Sequence, residues 1–491
     1  MLPPINKVDF AEASPNTKAD PLAFASLILG IFGLFFFALQ ENGVQVGWVL
    51  SLLIYCTSLA ATLWAVQRVP FRSNLIRLKP VAYLGCFLLF GPAGFIGTRN
   101  QFRHDHPVTT KGTKPDDQKE LLALARLTKQ GWKRQVENGT EFFELSNQPL
   151  PDMREATAAF VALGRPIALR LQTIPDLSGL NLLGMANVCD DIWIGASNLT
   201  SVDDLRTFTH LKKLGISQVP FDNGGYVDLS PLGDLKELKT LNLNADRPIS
   251  TDFLSHLTGL DRLDLTATPL RTTRSLQGLT SLRYLSLLNT FSSDLTIVEQ
   301  FPKLEELHVG ETELPSLMSL TKPLALHTLY LMSEYAIDTN KLPIDDHLEA
   351  LYLYGSPMDL GGLSKVPHLK TLYMQFTSLA QYGHLDNVDA ISTLKELNQL
   401  TITQYDLRNI AFLKSCRELR SVTLYTDQFH SIDELSTLPN LSELRLANLP
   451  INSVASLLNS KSLNTLSLAA IKGIPAEQLD ALRDRGVRIV R

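Results

Sequence analysis

The sequence predicts an α/β solenoid of about 13 short repeats, with a parallel sheet along its concave side. A small α/β cap precedes the repeats, and an all-α transmembrane region precedes the cap. Three observations carry this reading. Leu238, Leu260, Leu282, Leu304, Leu326 and Leu348 are each 22 residues apart, and each is followed by an apolar residue at +3 and another at +5. A period this strict marks stacked, self-similar units. Three long apolar runs crowd into the first hundred residues. Between the runs and the repeats lie two helix patterns and a hairpin signal.

Taken from the N-terminus, residues 1–20 form a Pro-containing tail of mixed charge, and residues 21–98 form the membrane region. Leu22–Leu39 and Val44–Val66 contain no charged residue and are joined by the short link Gln40–Gly43. A bilayer span takes about 20 apolar residues, with a range of roughly 17–25, so the two runs read as a membrane hairpin. Val81–Gly97 is the third run, at 17 residues, with Gly91-Pro92-Ala93-Gly94 inside it. It suits a short span or a re-entrant segment. The first run starts late and has no small-x-small cleavage site, which argues against a cleaved signal peptide.

Basic residues orient the spans. Lys7 and Lys18 precede the first run, and Arg68, Arg72, Arg77 and Lys79 lie between the second and third. Both segments are expected in the cytoplasm. Arg99, Arg103, Lys111 and Lys114 follow the third run. Three spans leave six of these basic residues inside and four outside, whereas a re-entrant third segment puts all ten inside. Charge favours re-entry and segment length favours crossing. Length tips the balance to three spans, with the repeats outside the cytoplasm. Residues 99–115 are a polar linker.

The cap is expected over residues 116–165. Asp116–Arg134 reads as an amphipathic helix with an acidic start and a basic end, which suits the helix dipole. Asn138-Gly139 between apolar flanks is a hairpin turn within Gln135–Leu145. Met153–Leu163 reads as a second helix, stopped by Gly164.

The repeat domain is expected over residues 166–491. The frame begins with Cys189-Ile192-Ile194 and Leu211-Leu214-Ile216. It continues past the strict region through Leu369-Leu372-Met374, Leu397-Leu400-Ile402, Leu419-Val422-Leu424, Leu441-Leu444-Leu446 and Leu463-Leu466-Leu468. The two apolar residues around one x form the period-2 pattern of a short strand. Leu276 and Leu279 fit a return arm on the convex side, and Val487–Val490 fits a closing strand. One repeat buries too little to offset the ordering of its own chain, so neighbours must supply the rest.

These repeats resemble the bacterial leucine-rich repeat family, and their 22-residue spacing is most similar to the internalin-type class. The resemblance covers roughly residues 186–491 and implies a horseshoe that binds along its concave side. One departure stands out. The family's buried Asn ladder should fall three residues after the third apolar position. That slot holds Thr268, Thr290, Thr312 and Thr377, with Ser356 and Asp427 elsewhere. A hydroxyl has fewer donors and acceptors than an amide.

In such a sheet the x positions face the concave side. The middle column reads Asn242, Asp264, Ser286, His308, Tyr330, Tyr352, Tyr373, Thr401, Thr423, Arg445, Ser467. Flanking columns add Tyr284, Met332, Tyr354 and Tyr425. Six of the chain's 12 tyrosines fall on these positions. Interfaces favour tyrosine because it is large, rigid and amphipathic. Tyr284, His308, Tyr330, Met332, Tyr352, Tyr354, Tyr373 and Tyr425 are therefore the candidate partner-binding residues. A plain aromatic ladder that stabilises the sheet by about 0.2–1 kcal/mol per pair is the competing explanation. Two repeats are longer than the rest, and their excess maps to Gln218–Asp228 and Leu379–Asp389, the second beside the tyrosines.

Other chemistry is sparse in the sequence. A net charge of −5 argues against nucleic acid as a partner of the whole chain. Cys56, Cys86, Cys189 and Cys416 form no disulfide framework. No phosphate-binding glycine loop, Cys-x-x-Cys, His-Glu-x-x-His or Gly-x-Ser-x-Gly occurs. His104-Asp105-His106 alternates faces in a strand and suits no single helical face, so it reads as wet linker. The expectation is a non-enzymatic, membrane-anchored recognition protein, without metal or cofactor, for a protein or peptide ligand. Lipid contact is through residues 22–97. The alternative is a membrane effector whose spans act on the bilayer when the repeats sense a trigger.

Overall fold

The computed structural model describes residues 117–490, except 138, 196–198, 200, 218–220, 223–224, 246, 293, 311–313, 321, 334, 356–357 and 377–382. The apolar runs, the polar linker and His104-Asp105-His106 lie outside the described residues. Among those described, no helix is long and apolar enough to cross a membrane.

The cap begins with α1 (Asp117–Lys129). The sequence pattern predicts helix as far as Arg134. The helix stops earlier because Gly131 turns left-handed, at φ +92°, and Trp132 drops into the core. β1 (Lys133–Glu137) and β2 (Thr140–Ser146) form the expected antiparallel hairpin around Gly139. α2 (Met153–Ala162) is capped by Asp152, whose carboxylate accepts from the backbone N–H of Arg154. Trp132 and Phe143 each meet Phe160 edge-on, with ring centroids 5.2 Å apart. β2 also pairs in parallel with β3 (Ile167–Gln172), so the hairpin and the repeats share one sheet. β3 is a repeat strand that the frame starting at Cys189 does not include.

The sheet continues through β4 (Cys189–Gly195), β5 (Lys213–Ile216), β6 (Thr240–Leu243), β7 (Arg262–Asp264) and β8 (Tyr284–Ser286). Next come β9 (Glu306–Val309), β10 (Thr328–Ser333), β11 (Ala350–Gly355) and β12 (Thr371–Gln375). β13 (Gln399–Thr403), β14 (Ser421–Tyr425), β15 (Glu443–Ala447), β16 (Thr465–Ala469) and β17 (Arg488–Val490) complete it. Among the described residues these are 17 strands in one sheet. From β2 onward each strand pairs in parallel with its successor, which puts equivalent repeat positions side by side. Leu263, Leu285, Leu307, Leu329, Leu351 and Leu372 point to the core and are fully buried. The residues between them lie on the open face, because side chains of a strand alternate. The return arms contain short 3₁₀ turns such as Asp252–His256 and Arg274–Leu276, whose Leu254 and Leu276 close the core from the other side.

The turn off each strand is built differently from an Asn ladder. Two residues after the last inward strand residue, the backbone of many repeats adopts positive φ: Asn147, Thr173, Ala267, Asn289, Gln404, Asn448 and Ala470 lie between +53° and +63°, whereas Ala245, Ser333, Phe376 and Thr426 at the same position do not. Gly355 occupies the same position at φ +123°. One left-handed residue is enough to turn the chain away from the sheet. At the expected ladder slot, the Thr268 hydroxyl donates to the carbonyl of Leu243 in the preceding repeat at 2.8 Å. The Thr290 hydroxyl donates to Leu287 at 2.9 Å within its own repeat. Asp427 is exposed and belongs to no ladder, while Thr426 beside it is buried. Thr312, Ser356 and Thr377 lie outside the described residues.

Candidate functional site

The register of β8 to β12 brings most of the candidate residues together. Ser286 faces His308 across one strand pair, His308 faces Tyr330, Tyr330 faces Tyr352, and Tyr352 faces Tyr373. In the next column Met332 faces Tyr354, and Tyr354 faces Gln375. The rings do not run in a single file. Tyr354 sits diagonally between Tyr330, at 4.7 Å, and Tyr373, at 5.0 Å, in a stacked arrangement. Tyr352 flanks this stack, 6.1 Å from Tyr330 and 6.0 Å from Tyr373. His308 extends it, stacked 5.0 Å from Tyr330. Offset stacking at these distances is favourable beyond the area it buries.

The stack decides what a ligand can meet. Stacking covers Tyr354 from both sides and one face each of Tyr330 and Tyr373, and the Tyr354 hydroxyl hydrogen-bonds with those of its two neighbours, so the ring edges remain. Burial pushes the Tyr330 hydroxyl up to about 12. It also raises Tyr352, Tyr354 and Tyr373 above the usual phenol range. The row therefore stays neutral at physiological pH. The Tyr373 hydroxyl donates to Gln375 Oε1 at 2.6 Å.

At the upstream end the strip becomes polar and buried. His308 Nε2 lies 2.7 Å from Glu306 Oε1, and Nδ1 lies 3.5 Å from the Tyr284 hydroxyl. The Arg262 guanidinium covers the Tyr284 ring at 3.9 Å, a cation–π contact. Burial pushes the Tyr284 hydroxyl well above its usual range, with the Asp264 and Glu306 carboxylates adding to it. Ser286 stands opposite His308, but it is buried and its hydroxyl shares a 2.8 Å hydrogen bond with that of Thr266. His308 is held on both nitrogens, the arrangement of a fixed hydrogen-bonding group rather than of a base facing substrate.

One candidate falls apart from this group. Tyr425 pairs with Thr403 and Ala447, and its hydroxyl accepts from Asn448 Nδ2 at 3.1 Å, away from the other rings. Met332 is half-buried beside Tyr354 and extends the apolar border. Residues outside the candidate set complete the site: Arg262 and Glu306 on the same sheet column as Tyr284, and Gln375 on that of Tyr354. Their columns follow from the 22-residue frame, but their side chains are not aromatic. Phe291 and Tyr335, each 60% exposed, stand two repeats apart on the loops leaving β8 and β10. Further upstream the Trp193 indole lies over Gly215, where a Cβ would meet its Cε3 at 2.0 Å.

Of the two long repeats, the first folds part of its excess into a small antiparallel ladder, Phe221–Asp222 with Gly225–Tyr226. The second is fastened from beneath. Tyr405 is buried, its hydroxyl donates to the carbonyl of Gly355 at 3.0 Å, and its ring lies 5.7 Å from Phe376. The backbone N–H of Gly383 donates to the carbonyl of Gln404 at 2.8 Å. A surface cluster, Asp345-Asp346-His347, brings three potential metal-ligand atoms within 4.8 Å of one another. Exposed acidic groups gather this closely without any ion.

No family model matches the chain, and no curated protein matches it either. Solved structures do resemble it. An internalin of Listeria monocytogenes is 17% identical, covering 74% of this chain and 99% of its own, with a TM-score of 0.49. A leucine-rich repeat protein of Leptospira interrogans is 17% identical, covering 70% of this chain and 93% of its own, at 0.45. The Toll–Spatzle complex of Drosophila is 14% identical, covering 69% of this chain and 47% of its own, at 0.44. Identities this low carry no role across, and the leucine-rich repeat solenoid described above rests on the register of its own sheet.

Proposed function

We propose that this chain is a membrane-anchored recognition protein. Residues 22–97 hold it in a bilayer, and the open face of the repeat sheet binds a protein or peptide. The observation that carries the binding half is the tyrosine group of β10, β11 and β12. Tyr330, Tyr352, Tyr354 and Tyr373 are half-buried and stand side by side in register on the outward-facing positions of the sheet. They offer neutral hydroxyls and apolar edges on a rigid sheet. That combination fits a polypeptide, whose backbone supplies hydrogen-bond partners and whose side chains supply apolar surface.

The geometry separates binding from a stabilising ladder. Tyr354 is the ring between two others, whereas Tyr352 stands at the flank. A photo-cross-linking amino acid at position 352 of the full chain should capture a defined polypeptide, and one at exposed Asp433 on a return arm should not. Tyr352→Ala should then weaken the captured partner at least tenfold, about 1.4 kcal/mol, with little change in melting temperature. Tyr354→Ala should lose about 1 kcal/mol of stability as well. Equal capture at both positions, or a melting loss in Tyr352→Ala with binding intact, counts against recognition here.

A further inference from the structure

α1 has an inner and an outer face of different character. Ala123 and Leu127 are buried in the cap core. Glu120 turns sideways to the Arg165 guanidinium, 2.8 Å away. On the outside, Leu121 and Leu122 are 66% and 55% exposed, and Ala125, Arg126 and Lys129 are exposed with them. Residues three and four apart share a helix face, so Leu122, Ala125, Arg126 and Lys129 form one stripe. The helix's acidic side chain at 120 is spent on Arg165, which leaves this stripe apolar and cationic. Two adjacent leucines held in water gain nothing for the cap.

The position of α1 in the chain indicates what would cover it. It begins 20 residues after Gly97, the end of the third apolar run. Apolar side chains bordered by cations on one helix face suit the headgroup boundary of a lipid bilayer, where the leucines enter and the cations meet phosphate. We propose that the outer face of α1 rests on an anionic bilayer surface and ties the entrance of the repeat array to the membrane. This rests on the anchoring role proposed for residues 22–97.

The test uses the full chain in phosphatidylcholine vesicles, with and without phosphatidylglycerol. An environment-sensitive fluorophore is attached at Leu122→Cys, at Leu34→Cys in the first apolar run, or at Lys472→Cys near the far end, with the native cysteines replaced by serine. With phosphatidylglycerol present, the label at 122 should be quenched by brominated lipid and shielded from aqueous iodide, several-fold more than the label at 472. Iodide quenching at 122 equal to that at 472 overturns the proposal. So does shielding without brominated-lipid quenching, which points to a protein neighbour such as a second copy. Equal lipid quenching with and without phosphatidylglycerol overturns its anionic part. The label at 34 reports the anchor separately: lipid quenching there but not at 122 sinks only the α1 contact, and none at 34 sinks the anchor itself.

Discussion

At the scale of single residues, the buried threonine hydroxyls at the turns are not equivalent: Thr268 stands at the expected ladder slot and Thr426 one residue before it. The Thr268 hydroxyl satisfies the Leu243 carbonyl, whereas the buried Thr426 hydroxyl has no hydrogen-bond partner. Replacing each with isosteric valine should therefore give opposite results. Thr268→Val strands a buried carbonyl and should cost about 1–2 kcal/mol in chemical denaturation. Thr426→Val removes an unsatisfied group and should be neutral or stabilising. The tyrosine strip makes a second prediction. An unfolded tyrosine ionises near pH 10, while folded Tyr330 holds its proton to about 12. Between those values the unfolded chain binds fewer protons than the folded one, so stability falls as pH rises. Tyr330 alone should remove on the order of 2–3 kcal/mol across that window. Following tyrosinate absorbance together with circular dichroism checks this: ionisation of the strip should coincide with unfolding, and strip tyrosines titrating freely in the folded chain would contradict it.

At the scale of elements, the turn position after many strands carries a backbone constraint. Ala267 lies at φ +55° and Gly355 at φ +123° in equivalent repeats. A Cβ at Gly355 would stand 1.5 Å from the Ser333 carbonyl oxygen, a backbone atom that cannot yield. Gly355→Ala should lose on the order of 3–5 kcal/mol, and Ala267→Gly should gain a few tenths to about 1 kcal/mol by relieving left-handed strain. Urea denaturation of the two variants checks both signs. This position also shows where the sequence was readable and where it was not. The strands were legible because Leu285, Leu307 and Leu329 repeat at a fixed distance and each points inward. The tyrosine group was legible because a fixed register turns sequence columns into neighbours. The turn was not, because left-handed geometry is served here by Asn, Thr, Ala, Gln and Gly, which share no side-chain chemistry. Nor was the diagonal placement of Tyr354 between Tyr330 and Tyr373, since ring orientation is set by packing and not by period. β3 escaped because its Ile167-Leu169-Leu171 alternation lies outside the 22-residue phase.

At the scale of the whole molecule, if residues 22–97 anchor the chain as proposed, the membrane side of the repeats decides which partners the tyrosine face can meet. The two readings of Val81–Gly97 make opposite statements about it. Crossing places the sheet outside the cytoplasm, and re-entry keeps it inside. The native thiols leave a quiet background for a labelling test. Cys189 and Cys416 are buried, burial raises the Cys189 thiol well above its usual range and pushes Cys416 up to about 11, and Cys56 and Cys86 lie in apolar runs. A thiolate is the reactive form, so these sites should react slowly with a maleimide. Lys472 is exposed near the far end of the array. With three spans, Lys472→Cys should react with a membrane-impermeant maleimide in intact cells, at a rate that permeabilisation does not raise. Labelling only after permeabilisation would establish the re-entrant form, which the ten basic residues favour. The partner sought at Tyr352 would then have to be cytoplasmic, and a cross-link formed only in intact cells with an externally added peptide would be excluded.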